Sequence, residues 1–236
     1  MWKTIINLLF PIYCLGCRQE GKFICSSCFE KIKMNEKYYF DKADILKKTL
    51  VVGCNDDELL KQMIYRYKYN FIKDLSKPLG QLMINKLIKD IKKNNLKKII
   101  LIPIPLHPKR LRWRGFNQAE LLAEEISKEL NIPVINNLLI RTKNNLPQAK
   151  IQKAFQRRQN VYNVFDLRGR ASKATSLTLG GRKGVLERHG LDNDFKNKTL
   201  ILVDDISTTS ATLKEAARTL NILKPKQIWG LVLIKD

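Results

Sequence analysis

An α/β fold, a parallel sheet with helices on both faces, is what the sequence predicts, on three observations. Short aliphatic runs at 99–102, 200–203 and 228–234 are apolar at nearly every position, which suits strands buried on both faces rather than half-exposed ones. Helical patterns separate these runs, and strands alternating with helices feed a parallel sheet through crossovers. Two of the runs end in polar or cationic loops that open a helix, and open α/β sheets hold their ligands at such carboxyl ends.

With 236 residues the chain has room for one substantial domain and a small module. It carries 44 Lys+Arg against 22 Asp+Glu, a net charge of +22 that favours nucleic acid, anionic metabolites or a membrane surface as partners. Lysines scattered on helix faces, such as Lys86, Lys89, Lys92 and Lys93, would serve solubility equally well. No apolar run approaches the roughly 20 residues a membrane span needs. The first 14 residues hold one Lys and a brief apolar stretch broken by Asn7, with no small-x-small cleavage site, and Tyr13 before Cys14 does not fit a lipoprotein signal. A cytoplasmic protein is expected. With only His107 and His189 present, a Ser-His-Asp or Cys-His arrangement has little to build on.

Residues 1–36 are expected to form a zinc module. Cys14, Cys17, Cys25 and Cys28 fall as two Cys-x-x-Cys pairs, which can bring four thiolates to one tetrahedral zinc at about 2.3 Å each. A pair of disulfides is the alternative, disfavoured where thiols stay reduced. So short a segment buries little core, so the metal would supply its folding energy. Cys54 stands alone, a buried or half-buried thiol. The second domain takes up 37–236. At 56–69, Leu59, Leu60, Met63, Ile64 and Tyr67 recur at helical spacing. Tyr65, Tyr67 and Tyr69 interleave with Arg66 and Lys68, a mix that either stacks on bases or packs into the core. Ser76-Lys-Pro78 opens another helix with Leu79, Leu82, Met83, Leu87 and Ile91 inward.

After the strand at 99–102, Pro103, Pro105 and Pro108 are expected to hold an irregular loop. His107, Lys109, Arg110, Arg112 and Arg114 crowd it, and arginine forks suit bidentate phosphate contacts. Asn117-Gln-Ala-Glu120 reads as a capping box for a helix over 118–130, with Ala119, Leu122, Ile126 and Leu130 inward. A short strand is expected at 132–135. The basic, polar stretches at 138–148 and 156–161 are either a mobile flap or plain connection, and Arg157 and Arg158 either meet phosphate backbones or face solvent. Residues 168–193 contain no Ile and five of the chain's eleven glycines, which reads as a flexible basic insertion.

The strand at 200–203 ends in Asp204 and Asp205, which can accept hydrogen bonds from vicinal sugar hydroxyls. Ser207, Thr208, Thr209, Ser210 and Thr212 are small enough for backbone N–H groups to reach a phosphate at a helix N-terminus. A solvated acidic pair before an N-capped helix is the plain alternative. Leu213, Ala216, Ala217 and Leu220 line the helix that follows, Lys224-Pro225 stops it, and 228–234 is the last buried strand. Two strand–loop–helix units at neighbouring strand ends would converge on one ligand carrying two phosphate groups.

The 200–212 stretch resembles the phosphoribosyl pyrophosphate (PRPP) motif of type I phosphoribosyltransferases: an apolar strand, two acids and a Thr-rich loop. Ser210 stands where those proteins usually carry glycine, and serine reaches positive φ less readily. The run from Pro103 to Gln118, above all Arg-Gly-Phe-Asn-Gln at 114–118, follows a tandem Cys-x-x-Cys module and precedes the Asp-Asp strand. In that order it resembles the ComF family over nearly the whole chain. Arg141, Pro147, Gln148, Arg158, Asn160 and Val161 also match that family's pattern. The resemblance implies a type I phosphoribosyltransferase-like sheet behind a four-cysteine zinc module, in a cytoplasmic protein of natural competence and transformation by DNA uptake. It implies that the loop with Pro105 and His107 takes the pyrophosphate of PRPP, and that 204–212 takes the ribose phosphate; were phosphoribose transferred, Mg²⁺ would bridge the pyrophosphate. It also implies single-stranded DNA as a partner, with Arg110, Arg112, Arg114, Arg157 and Arg158 as the candidate contacts, and DNA-uptake machinery proteins as further partners. An active phosphoribosyltransferase with a nucleobase-like acceptor, and a zinc-dependent nucleic-acid regulator that senses PRPP, are the other readings.

Overall fold

The computed structural model describes residues 11–40, 45–143, 163–168 and 195–235. At its centre lies the last strand, Gln227–Lys235, buried at all seven inner positions. In chain order the elements are α1 Ser26–Glu30, β1 Tyr38–Phe40, β2 Lys48–Val51, α2 Glu58–Tyr69, α3 Ser76–Lys93, β3 Ile99–Pro103, α4 Pro108–Arg114, α5 Gln118–Leu130, β4 Leu139–Arg141, β5 Phe165–Leu167, β6 Thr199–Ser207, α6 Ala211–Asn221 and β7 Gln227–Lys235. One sheet runs β1-β2-β7-β6-β3, parallel except for β1, which pairs antiparallel with β2 at the edge. A separate antiparallel pair joins β4 to β5.

The uniform apolarity of the strands follows from having a core on each side. Leu101, Ile201, Val203 and Leu231 face Leu60, Met63, Tyr67, Met83, Leu122 and Ile126 of α2, α3 and α5. Their neighbours Ile100, Ile102, Leu200, Leu202 and Val232 face the other way, against Leu213, Ala216, Ala217 and Leu220 of α6. Successive strand residues alternate faces, so two covered faces favour apolar side chains at successive positions. At Gly230 an added Cβ would stand 3.0 Å from Leu213 of α6, so that helix rests on bare backbone. The parallel sheet with helices on both faces is as the sequence predicts.

Three local expectations change. The proline-rich loop ends in a helix, α4, because Pro108 occupies its first turn, where a missing N–H is harmless, and His107 caps it. The strand expected to stop at the acid pair continues to Ser207, since β7 pairs with it through Asp204↔Val232, Ile206↔Ile234 and Ser207↔Lys235. The strand expected at 132–135 is reduced to one bridge, Leu101↔Val134. Proline at 133 can accept from Leu101 N–H but has no N–H to donate.

The N-terminal module is stitched to the sheet domain. Lys33 N–H donates to Asp57 (2.7 Å), Asn35 N–H to Val52 C=O (2.8 Å) and Cys54 N–H to Lys33 C=O (3.0 Å). Arg157 and Arg158, the flap positions 147, 148, 160 and 161, and the insertion expected at 168–193 (Arg168 apart) lie outside the described residues. Among the described residues, no helix is long and apolar enough to cross a membrane.

Candidate functional site

β3 and β6 are neighbours, so the loops leaving their carboxyl ends face each other, and a cavity of about 340 Å³ opens between them. Pro105, Arg110 and Arg114 line it from the first unit and Asp204, Asp205, Thr208 and Thr212 from the second. Lys68 and Tyr69 enter from α2 and Arg141 from β4. Packing brings these in. Tyr67 is fully buried, donates its hydroxyl to Gln118 C=O (2.8 Å) and stacks near Phe116, which lays the next two residues of α2 at the cleft mouth. Asn117 caps α5 by accepting from Ala119 N–H (3.2 Å) and donates its amide to Ile104 C=O (3.1 Å), tying the proline loop to the helix. A roomier hollow, about 740 Å³, lies at the amino end of β3 between Ile88, Ile91, Ile99 and Leu130, edged by Lys92, Lys98 and Lys198 and without a carboxylate in its lining.

Other predicted residues stand apart from the cleft lining. His107 is turned back onto its own helix, where Nδ1 accepts from Lys109 N–H (3.2 Å). Its pKa is lowered by burial and by the surrounding Lys109, Arg141, Arg110 and Arg112. Ser207 is buried, with its hydroxyl 3.2 Å from that of Ser210, and the Thr209 hydroxyl is buried without a partner. Arg112 is exposed. Thus Arg110 and Arg114, one helical turn apart, share the cleft with the acid pair, while Arg112 between them does not.

The cleft has two electrostatic walls. On one, burial lowers the pKa of Arg110 and Arg141, and each also feels a neighbouring guanidinium, Arg114 on Arg110 and Arg110 on Arg141. Arg114 donates from Nη1 to Gln118 (2.9 Å), but Arg114 Nε, Arg141 Nε and Gln118 Nε2 are buried with no acceptor. A donor stranded in this way costs about 1–3 kcal/mol, and all three belong to residues that line the cleft. On the other wall, burial and the adjacent Asp205 push the Asp204 carboxyl up to about 7, while Lys68 pulls the other way. Asp205 itself accepts from Lys68 Nζ at 2.9 Å in a largely buried ion pair. Sequence periodicity places Lys68 beside the buried stripe of α2 but gives no sign of this partner 137 residues away.

Ser210 adopts the left-handed conformation expected to be awkward for it, φ 57°, at the start of α6. Ser210→Gly is therefore expected to raise stability by roughly 1 kcal/mol, read as a higher urea midpoint at unchanged slope. A lower midpoint would mean that the Ser207–Ser210 hydroxyl contact outweighs the backbone strain.

In the N-terminal module the sulfurs of Cys14, Cys17, Cys25 and Cys28 lie within 4.8 Å of one another. Burial pushes the Cys14 thiol up, but N–H groups of Cys17, Cys25 and Gly16 outweigh it and bring the pKa down to about 6. A Cβ at Gly16 would meet Cys28 Sγ at 2.7 Å, so only glycine lets the two knuckles close on each other. All five cysteines are free, and four converging soft donors could hold a metal ion of zinc's preference.

No protein-family model matches the chain. Among curated proteins it is 30% identical to Competence protein F of Haemophilus influenzae over 226 residues, 94% of this chain and 84% of that one. It is 32% identical to Competence protein ComFC of Bacillus subtilis over 52% of this chain and 39% of that protein. The DNA utilization protein YhgH of Escherichia coli O157:H7 is 26% identical over 73% of this chain and 66% of its own length. Similar solved structures include TT1426 from Thermus thermophilus (15% identity, TM-score 0.35, 66% of this chain and 72% of that one). Another is the L. donovani hypoxanthine-guanine phosphoribosyltransferase (11%, 0.35, 68% and 67%). With 30% identity sustained over 94% of its length, this chain belongs to the ComF family of competence proteins.

Proposed function

We propose that this protein serves DNA uptake in natural transformation, in the cytoplasm, and that its cleft binds PRPP while single-stranded DNA is its macromolecular partner. The division of the cleft carries this reading: buried, unsatisfied donors of Arg114, Arg141 and Gln118 on one wall, two carboxylates on the other. The diphosphate matches the arginines, the ribose diol matches Asp204 and Asp205, and the 5′-phosphate matches the 208–212 loop at the N-terminus of α6. Mg²⁺ prefers oxygen ligands and would ride on the diphosphate beside those two carboxylates. Relatives named for competence and DNA utilization, together with the net charge of +22, support the nucleic-acid partner. Titration calorimetry with PRPP and Mg²⁺ tests the reading. Wild-type protein should bind, with Asp204→Asn and Arg110→Ala at least about tenfold weaker. Absence of binding to the wild type removes it.

A second reading, transfer of phosphoribose to a nucleobase-like acceptor, draws on the near-neutral Asp204 carboxyl. There an acceptor nitrogen bonds to the sugar C1, the C1–O bond breaks with its electron pair leaving on pyrophosphate, and the acceptor's N–H proton passes to Asp204. PRPP consumption with a panel of bases, lost in Asp204→Asn, would establish it. Binding without turnover across the panel would exclude it.

For the module, zinc is the proposed metal. Cys17 is exposed, so Cys17→Ser costs no packing, yet it is expected to release the zinc and open the first 35 or so residues to protease. Metal analysis showing one zinc per wild-type chain and none in the variant is the expected result. Wild-type protein free of zinc would overturn it.

A further inference from the structure

Of the exposed rings on α2 and α4, Tyr69 stands at the cleft edge, while Tyr65 and Trp113 lie outside its lining. Tyr65 and Tyr69 are 59% and 48% exposed, one helical turn apart, with ring centroids 5.0 Å from each other. Trp113 is 65% exposed and is braced edge-on by Phe71 at 5.2 Å. Flat apolar faces left in water beside a ligand cleft mark an interaction surface. Cations outnumber carboxylates around them, although Lys61 pairs with Glu58 (3.0 Å) and Lys68 with Asp205 (2.9 Å). Residues 59–73 carry Lys61, Arg66, Lys68 and Lys73, and residues 108–117 carry Lys109, Arg110, Arg112 and Arg114, with no Asp or Glu in either stretch. A hollow lined by Lys61, Gln62, Tyr65, Arg66 and Asn70 lies at the outer end of this surface. At its inner end Tyr69 lines the cleft itself, beside Arg110 and Arg114.

We propose that the exposed faces of α2 and α4 form one track for a single-stranded nucleic acid, stacking its bases on Tyr65, Tyr69 and Trp113. The track ends in the cleft, where the strand's terminal phosphate occupies the arginines that otherwise hold the diphosphate of PRPP. Nucleic acid and PRPP therefore exclude each other. The inference rests on the PRPP reading for its second half only. An acidic peptide would match the cations, but it offers no flat faces to the stacked rings, whereas every base does. Duplex DNA keeps its base faces inside the stack and cannot use them either. The helical phase of α4 makes the sharing unavoidable. Arg110 and Arg114 point into the cleft while Arg112 and Trp113 face solvent, so one short helix belongs to both surfaces.

Fluorescence anisotropy with an oligothymidylate of about a dozen nucleotides, with and without a terminal phosphate, tests this. Tyr65→Ala and Trp113→Ala should each weaken oligonucleotide binding roughly tenfold, and Tyr65→Ala should leave PRPP affinity unchanged, because its ring does not line the cleft. The terminal phosphate should tighten binding to the wild type, and PRPP with Mg²⁺ should displace the oligonucleotide competitively. A double Tyr65→Ala/Trp113→Ala variant that binds as well as wild type overturns the track. Simultaneous, independent binding of PRPP and oligonucleotide overturns the shared cleft. If the wild type ignores PRPP, the PRPP reading fails by itself; inorganic pyrophosphate then serves as the competitor, and failure to displace overturns the shared cleft.

Discussion

Lys48→Met is expected to destabilise the fold by about 3–5 kcal/mol, the cost of leaving a buried carboxylate without its cation. Lys48, on β2, is 6% exposed, and its ammonium is 2.9 Å from Oδ1 of Asp90 on α3, which is fully buried. The ammonium also lies over the rings of Trp229 (3.9 Å) and Tyr38 (4.8 Å), so the pair is walled in by aromatic carbon. Asp90 Oδ2 has no hydrogen bond of good geometry, although Lys86 and the Tyr38 hydroxyl both feel its charge. Removing the lysine therefore strands a carboxylate that already has one poorly bonded oxygen. Replacing both partners, Lys48→Met with Asp90→Leu, should recover most of the loss, since two apolar side chains of similar size need no solvation. Urea unfolding of wild type, both single variants and the double variant gives the coupling directly. Strictly additive costs would mean that each residue acts through packing and not through the pair.

That ion pair also shows why β2 is hard to read from sequence. A strand beginning Lys48-Thr49 has the composition of an edge or a turn, yet all four of its residues are buried. The neutralising carboxylate comes from 42 residues further on, and no local pattern carries that information. What is legible is what depends on local periodicity: the aliphatic strands, the stripes of α2, α3, α5 and α6, and the cysteine spacing. Pro108 misleads for the opposite reason. Proline ends a helix from inside but starts one at its first turn, and the distinction depends on a cap at His107 that the sequence leaves open. The same ambiguity divides the site. Asp204, Asp205, Thr208 and Thr212 can be assigned from a strand–loop–helix pattern. Arg110 and Arg114 fall to nucleic acid together with Arg112 in the sequence, because only a helix at 108–114 separates their directions. Lys68 and Arg141 reach the cleft from elements with no sequence link to either loop.

Arg141→Met is expected to weaken PRPP binding roughly a hundredfold, as loss of a desolvated charge contact does. It should also make the ligand-free protein more stable. Arg141 sits on the short β4–β5 pair opposite Phe165, whose ring lies 5.6 Å from its guanidinium. Burial and Arg110 both disfavour its charge, against Asp204 and the Phe165 ring in its favour, and its Nε has no acceptor. An apolar side chain removes that penalty, and a gain of about 1 kcal/mol would raise the melting temperature by roughly 2–4 °C in a domain of this size. The opposite wall obeys the same logic with a pH signature. The Asp204 carboxyl is raised to about 7, so between its ordinary range near 4 and that value the folded protein holds a proton the unfolded chain has lost. Stability contributed by this group is full below about pH 4 and falls as pH rises through 7. Asp204→Asn should flatten that decline while weakening the ligand. Opposite signs for stability and affinity are what a cleft kept charged for a ligand requires. If Arg141→Met instead destabilised the free protein, the guanidinium would be held by Asp204 as part of a structural ion pair, and the arginine wall would not be waiting for an anion.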